Sequence, residues 1–276
     1  MKTFNQIREE LPETELAEIS SNYFLEALNL GGLSPNIVFV HGGGGNLWNP
    51  YRQLDHFQGD YGLLTYNLSG YGRSSYSRGY RLADHVDDLR GLVEFYNLKN
   101  VVIHGHSYGT EIAVEYAKKF HPRGLVLAGG GIYNLTPWWE KPLLRLLLAL
   151  RLYKLPMEWL AKPLAKLAFH PETSDKRIKN FLECNPLSRR RSAWETIVKS
   201  FWNYEAENVD RIDSSTLVLH GPADGIVPVE AGKRTADEIP NSKFKPIKRT
   251  GHVPMVERPE QYNKVLQNFL REVKKR

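Results

Sequence analysis

Residues 37–40, Ile-Val-Phe-Val, form an unbroken apolar run too short for a helix, and it stops at His41 and four glycines. Such runs, closed by turn residues, predict strands buried on both faces. The pattern recurs at 62–67, 101–104, 125–128 and 216–220, and in a more polar form at 243–248. Helical periodicity fills the gaps at 81–96, 108–120 and 229–238, and a last helix starts at Pro259. Two further strands, 15–19 and 23–29, joined through Ser20, Ser21 and Asn22, predict an opening hairpin. The alternation predicts an α/β protein: a mostly parallel sheet of eight strands with helices on both faces.

After the sixth strand the alternation stops. Residues 132–210 carry Pro137, Pro142, Pro156 and Pro163, several tryptophans and leucine-rich helical stretches, with no strand pattern. The predicted organisation is an α/β core of residues 1–131 and 211–276, interrupted by a helical lid or cap of residues 132–210.

With 276 residues, 41% hydrophobic and 25% charged, the chain has the composition of an ordinary globular protein able to bury a large core. Its N-terminal residues are too charged for the apolar core of a secretory signal, and no apolar run reaches the ~18 residues of a membrane span. The expected location is cytoplasmic. Cys184 is the single cysteine, which excludes an internal disulfide and suits a reducing compartment; no motif supports it as a nucleophile, and a structural role is expected. The net charge of +6 raises the question of nucleic acid or an anionic membrane. No nucleic-acid module or stacking platform accompanies it, so no nucleic-acid partner is expected.

Chemistry enters at Gly105-His106-Ser107-Tyr108-Gly109, a G-x-S-x-G sequence between a predicted strand and a predicted helix. That context makes a sharp turn with Ser107 at its tip. A nucleophilic serine needs a base in hydrogen-bond reach and a carboxylate to orient the base. In open α/β sheets both belong on loops at the carboxyl ends of strands. The loop after 216–220 offers Asp224 in GPADGIVP, and the loop after 243–248 offers His252 in RTGHVPMVERPE. Asp210 and Asp213 precede their strand and fall at its wrong end. The chain order is Ser107, Asp224, His252. The oxyanion of an acyl-transfer intermediate needs two N–H donors. Tyr108, just after the nucleophile, supplies one; the glycine loop after the third strand supplies the other from Gly43, with Gly44 as the alternative. His104 and His106 are expected to pack. No metal-ligand spacing is present, and no metal or cofactor is expected.

Together HGGGG, NLSGYGRSS, GHSYG, HGPADGIVP and GHVPMVERPE resemble the α/β-hydrolase superfamily, in its branch with a helical lid after strand six. The resemblance spans residues 37–274 around the insertion. It implies acyl transfer through an acyl-enzyme, with Ser107 as nucleophile, His252 as base, and Asp224 orienting the imidazole. It leaves the substrate open, because this scaffold serves esterases, lipases, acyltransferases, perhydrolases, carbon-carbon hydrolases and non-catalytic receptors. One departure is Asn67, where the family usually has Asp, a position expected to affect loop rigidity rather than catalysis.

Within the insertion, residues 141–166 hold Lys141, Arg145, Arg151, Lys154, Lys162 and Lys166 against Glu158, a surplus of +5, among many leucines and Trp159. Two readings stand. The basic, leucine-rich helices lie on an anionic membrane and admit an acyl chain, or the leucines pack on the core while the lysines face water. Arg189, Arg190 and Arg191 form either an anion site or a solvated face. The expected partner is a small-molecule ester with a hydrophobic acyl part.

Overall fold

The computed structural model describes residues 2–76, 79–133, 140–154, 167–186, 190–202 and 204–275. Among them eight strands form one sheet: β1 (Glu15–Ser20), β2 (Tyr23–Asn29), β3 (Asn36–Val40), β4 (Gly62–Tyr66), β5 (Val101–His106), β6 (Gly124–Ala128), β7 (Ser215–His220) and β8 (Ser242–Pro246). Their order across the sheet is β1-β2-β4-β3-β5-β6-β7-β8. Pairing is antiparallel from β1 to β2 and from β2 to β4, and parallel from there to β8.

The short apolar runs become strands because both faces of the sheet are dry. Ile37 and Phe39 point into one core with Val102, Val126 and Leu217, while Val38 and Val40 point into the other with Ile103, Leu125 and Val218. Successive residues serve opposite faces, so a strand covered on both sides reads as continuous hydrophobe. The first core is closed by α1 (Phe4–Glu10), α2 (Tyr51–Phe57) and the C-terminal helix Pro259–Lys275, the second mainly by α3 (Leu82–Phe95) and α4 (Gly109–Phe120).

Between β6 and β7 the described residues contain α5 (Glu140–Ala149), the helices Asp175–Cys184 and Arg191–Thr196, and a π-helical turn Ile197–Phe201, with no strand. Lys162, Lys166, Glu158, Trp159 and Arg189 lie outside the described residues. So do Pro137, Pro156 and Pro163.

Two helices were not expected. The helix α1 is announced by Thr3-x-x-Gln6, whose side chains each bond the other's backbone N–H in a capping box. The helix α2 has Tyr51, Leu54 and Phe57 at helical spacing, but its seven residues are too few for the period to stand out. Strand β5 runs two residues past the predicted end, to His106, because Gly105 and His106 still pair with Leu127 and Ala128 of β6.

Asn67 is satisfied at both ends of its amide. Its Oδ1 accepts from Leu47 N (2.9 Å) and its Nδ2 donates to Glu26 Oε2 (2.7 Å). Glu26 is buried but receives Arg73 N and Nε at 2.7 and 2.9 Å. Burial pushes this carboxyl up, and the bonds from Arg73 and Asn67 more than offset it and hold it below the usual range. An aspartate at 67 would set a second carboxylate against Glu26, whereas the amide donates to it.

Candidate active site

Strand β5 delivers Ser107 to the carboxyl edge of the sheet, and the turn into α4 leaves no room for side chains on either flank. A Cβ on Gly105 would stand 2.3 Å from Gly109 O, and one on Gly109 would stand 2.4 Å from Val40 O. Both obstacles are backbone, which cannot swing aside. The same turn holds Ser107 at φ +53°, in the left-handed region that a non-glycine residue seldom enters. Three bonds maintain this conformation: Ser107 N donates to Ala128 O (2.9 Å), and Ser107 O accepts from Thr110 N (2.8 Å) and Thr110 Oγ1 (2.6 Å).

The structure brings Ser107, His252 and Asp224 together. His252 Nε2 lies 3.0 Å from Ser107 Oγ, and His252 Nδ1 lies 2.9 Å from Asp224 Oδ2. The carboxylate only accepts, so the imidazole carries its proton on Nδ1 and turns the Nε2 lone pair toward the serine hydroxyl. The Asp224 side chain is fully buried, and three donors and the His220 ring surround it. Oδ1 accepts from Ile226 N (2.8 Å) and Val227 N (2.9 Å). Oδ2 accepts from His252, and the His220 ring, whose Nε2 donates to Val227 O (3.0 Å), lies 3.2 Å from the same oxygen. Burial alone would push the Asp224 carboxyl up, but the charge interaction with His252 and these bonds outweigh it and hold the group well below the usual carboxylate range.

Backbone contacts fix the loops that carry Asp224 and His252. Leu167 O accepts from Gly225 N (3.1 Å) and Ala168 O from His252 N (2.6 Å), so one short segment clasps both loops. Glu257, fully buried, ties that segment to the histidine loop: Oε1 accepts from Gly251 N (2.7 Å), and Oε2 from His170 N (2.7 Å) and Thr173 Oγ1 (2.6 Å). Glu257 and His220 both sit inside the sequence motifs, yet nothing local distinguishes them, because their partners lie far away in the chain or in the turn itself.

His104 packs as expected against Phe39 and bonds the Tyr262 hydroxyl. His106 does more than pack. Its Nε2 donates to His252 O (2.9 Å), so the residue before Ser107 holds the backbone of His252.

Gly42 and Gly43 line the other side of Ser107. A Cβ on Gly42 would stand 2.7 Å from Ser107 Cβ, and one on Gly43 would stand 2.6 Å from the Tyr108 ring. Gly43 and Tyr108 are therefore neighbours beside the hydroxyl. The Gly44 N–H is instead directed at the Tyr71 hydroxyl, 3.5 Å away. Around Gly43 and Tyr108 the surroundings are apolar: Ile197 touches Gly43, and the Tyr108 ring stacks on Phe201 at 4.8 Å. Ile197 belongs to a cluster with Leu144, Leu147, Tyr153 and Trp194.

Other candidates stand elsewhere. Asp213 pairs with His121 at the opposite edge of the sheet. Cys184 is buried, donates to Phe181 O, and burial pushes its thiol up, so it is not a ready thiolate. Arg191 pairs with Glu195, and Arg190 bonds Gly72 O and lies over the Tyr76 ring.

A strand-turn-helix serine with a histidine and a carboxylate on the two following strand-end loops defines the nucleophile-elbow class of hydrolase folds. The chain belongs to the alpha/beta hydrolase family, whose model matches residues 37–265. It is 28% identical over 256 residues to a 2-hydroxy-6-oxononadienedioate/2-hydroxy-6-oxononatrienedioate hydrolase of Paraburkholderia phymatum, covering 87% of this chain and 88% of that one. Among solved structures it resembles a thermophilic esterase from Thermogutta terrifontis (TM-score 0.82, 21% identity, 95% of this chain and 99% of that one). It also resembles a bromoperoxidase from Bacillus anthracis (TM-score 0.78, 22% identity, 94% and 100%).

Proposed function

We propose that the chain is a serine hydrolase that cleaves carboxylic esters with a hydrophobic acyl part. The observation that carries this reading is the His252 imidazole held between Ser107 Oγ at 3.0 Å and Asp224 Oδ2 at 2.9 Å. In the first half-reaction His252 Nε2 takes the Ser107 proton as Oγ attacks the carbonyl carbon. The carbonyl oxygen becomes an oxyanion, and the N–H groups of Gly43 and Tyr108 are the donors proposed to meet it. Gly43 is preferred over Gly44, whose N–H is directed at Tyr71. Collapse of the intermediate returns the proton from His252 to the departing alkoxide and leaves an acyl-serine. Water, deprotonated by the same imidazole, then attacks the acyl carbon, releases the acid and restores Ser107.

Asp224 stays ionised throughout and stabilises the imidazolium that forms in each half. Residues 132–210 act as the lid. Ile197 and the leucines and aromatics around it give an acyl chain an apolar surface next to Tyr108.

The relationship to a carbon-carbon hydrolase at 28% identity favours one second reading. The same serine, histidine and aspartate would then break a bond to carbon instead of oxygen.

The test is labelling with a fluorophosphonate probe, followed by hydrolysis of p-nitrophenyl esters of increasing acyl length and of a vinylogous 1,5-diketone. Labelling lost in Ser107→Ala, with ester turnover that rises with acyl length, is the expected result. Turnover of the diketone alone would favour the second reading. A folded protein that neither labels nor turns over would leave a ligand-binding member of the fold.

A further inference from the structure

We infer that the solvent face of α5 docks on an anionic lipid bilayer. A helix at the surface of a globular protein normally has one apolar stripe, turned inward. In α5 that stripe is Leu144 and Leu147, buried with Tyr153, Trp194 and Ile197. Yet the opposite side is apolar as well. Pro142, Leu143, Leu146, Ala149 and the adjoining Leu150 are all exposed, with Leu143 at 52%, Leu146 at 52% and Leu150 at 61%. At ~100° per residue they occupy a single sector about 120° wide with no polar residue inside it.

Charge selects the occupant. Residues 140–154 hold Lys141, Arg145, Arg151 and Lys154 against Glu140. Lys141 and Arg145 stand over the Trp202 ring along one border of the leucine face, and Arg151 and Lys154, both exposed, follow its end. Long basic side chains beside an exposed apolar stripe can reach phosphate while the leucines enter the acyl boundary. The stripe from Leu143 to Leu150 is only ~10 Å long at 1.5 Å per residue, which suits a helix lying in the interface. No helix among the described residues is long and apolar enough to cross a membrane. The inference goes beyond the hydrolase reading and does not depend on it, since none of these residues touches Ser107.

The experiment is flotation with vesicles of phosphatidylcholine alone and of phosphatidylcholine with one third phosphatidylglycerol. The protein is expected to float with the anionic vesicles, about tenfold or more above the neutral ones, and to be released by salt. Leu143→Ser, Leu146→Ser and Leu150→Ser combined should weaken binding on the order of a hundredfold, while an unchanged urea midpoint by tryptophan fluorescence reports a folded protein. Arg151→Gln with Lys154→Gln should weaken it about twentyfold, near fivefold per cation. Ser107→Ala should float like the unsubstituted protein, so failure of the hydrolase reading would leave this result standing. The inference is overturned if the protein stays with neither vesicle, or if the leucine variant floats unchanged. It is equally overturned if light scattering finds a dimer that the leucine substitutions dissolve, for the face would then bind a second copy.

Discussion

Acidification should unfold this protein over a narrow range, because four histidines are buried as neutral rings. Burial pushes His41, His85 and His104 down to about 4 and His106 to about 3. Three of them have both ring nitrogens committed. His41 Nδ1 donates to Gly42 O and its Nε2 accepts from Leu68 N. His85 stands between the hydroxyls of Ser69 and Ser200. His106 donates to His252 O and faces the Asn49 amide. A second proton on His41 or His106 would meet a donor, and on His85 it would place a charge in a fully buried site.

The sign follows from which state takes up protons. In the unfolded chain a histidine titrates near ~6.5. Above that value neither state gains a proton and the full contribution is present. As pH falls from 6.5 toward 4 the unfolded chain protonates while the folded one does not, and stability drops. Asp88 acts in the opposite sense. Burial raises its carboxyl to about 7, so the folded state takes up that proton first and gains stability on the way down.

Four histidines against one carboxyl leave a net uptake of about three protons on unfolding, which is about 4 kcal/mol lost per pH unit. A fold stable by ~5 kcal/mol at neutrality is then lost above pH 5, and one stable by ~10 kcal/mol near pH 4. Urea titrations followed by tryptophan fluorescence, repeated from pH 7 to 4.5, give the slope directly. His104→Gln, which still offers the Tyr262 hydroxyl a partner, should reduce the slope by about 1.4 kcal/mol per pH unit. A stability that stays flat between pH 6.5 and 5, or a slope unchanged in His104→Gln, would refute the reasoning.

The site yields three further expectations. Gly109→Ala should abolish fluorophosphonate labelling and cost at least about 2 kcal/mol of urea stability, because its Cβ meets backbone on two sides; Gly44→Ala, with open space but φ +70°, should cost only about 1 to 2 kcal/mol. Glu257→Gln turns an acceptor shared by His170 N and Thr173 Oγ1 into a donor, and should cost about 2 to 4 kcal/mol and slow labelling of Ser107; equal urea midpoints for the two proteins would count against the clasp. His220→Leu removes the polar ring beside Asp224 Oδ2 and its bond to Val227 O in the same turn, so kcat for a soluble ester should fall about tenfold with KM unchanged, whereas a change in KM alone would mean that His220 serves the substrate pocket.

What the sequence discloses and what it hides divide along the range of the forces involved. Ser107 is legible because its constraints leave a local mark: Gly105 is required by its own turn and Gly109 by the backbone of β3, both within two residues of the serine, and the apolar run before them announces the strand. His252 and Asp224 are legible one step further out, through their places after strands β8 and β7. Glu257 is not, since its partners His170 and Thr173 lie more than eighty positions away and only the fold brings them near. The helix α2 was hidden for another reason, since seven residues give less than two full turns from which to recognise a helical period.

The same division bears on how the site is held. Ser107 is held by its own turn together with Val40 and Ala128 on the neighbouring strands, whereas His252 and Asp224 depend on Leu167 and Ala168 from outside their loops, a segment that Glu257 ties to the histidine loop. A disturbance in the segment before β7 should therefore loosen His252 and Asp224 while leaving the elbow at Ser107 intact. The buried side of α5 packs in the cluster of Ile197 that Tyr108 adjoins, so what binds the leucine face would reach the neighbourhood of Ser107 through packing.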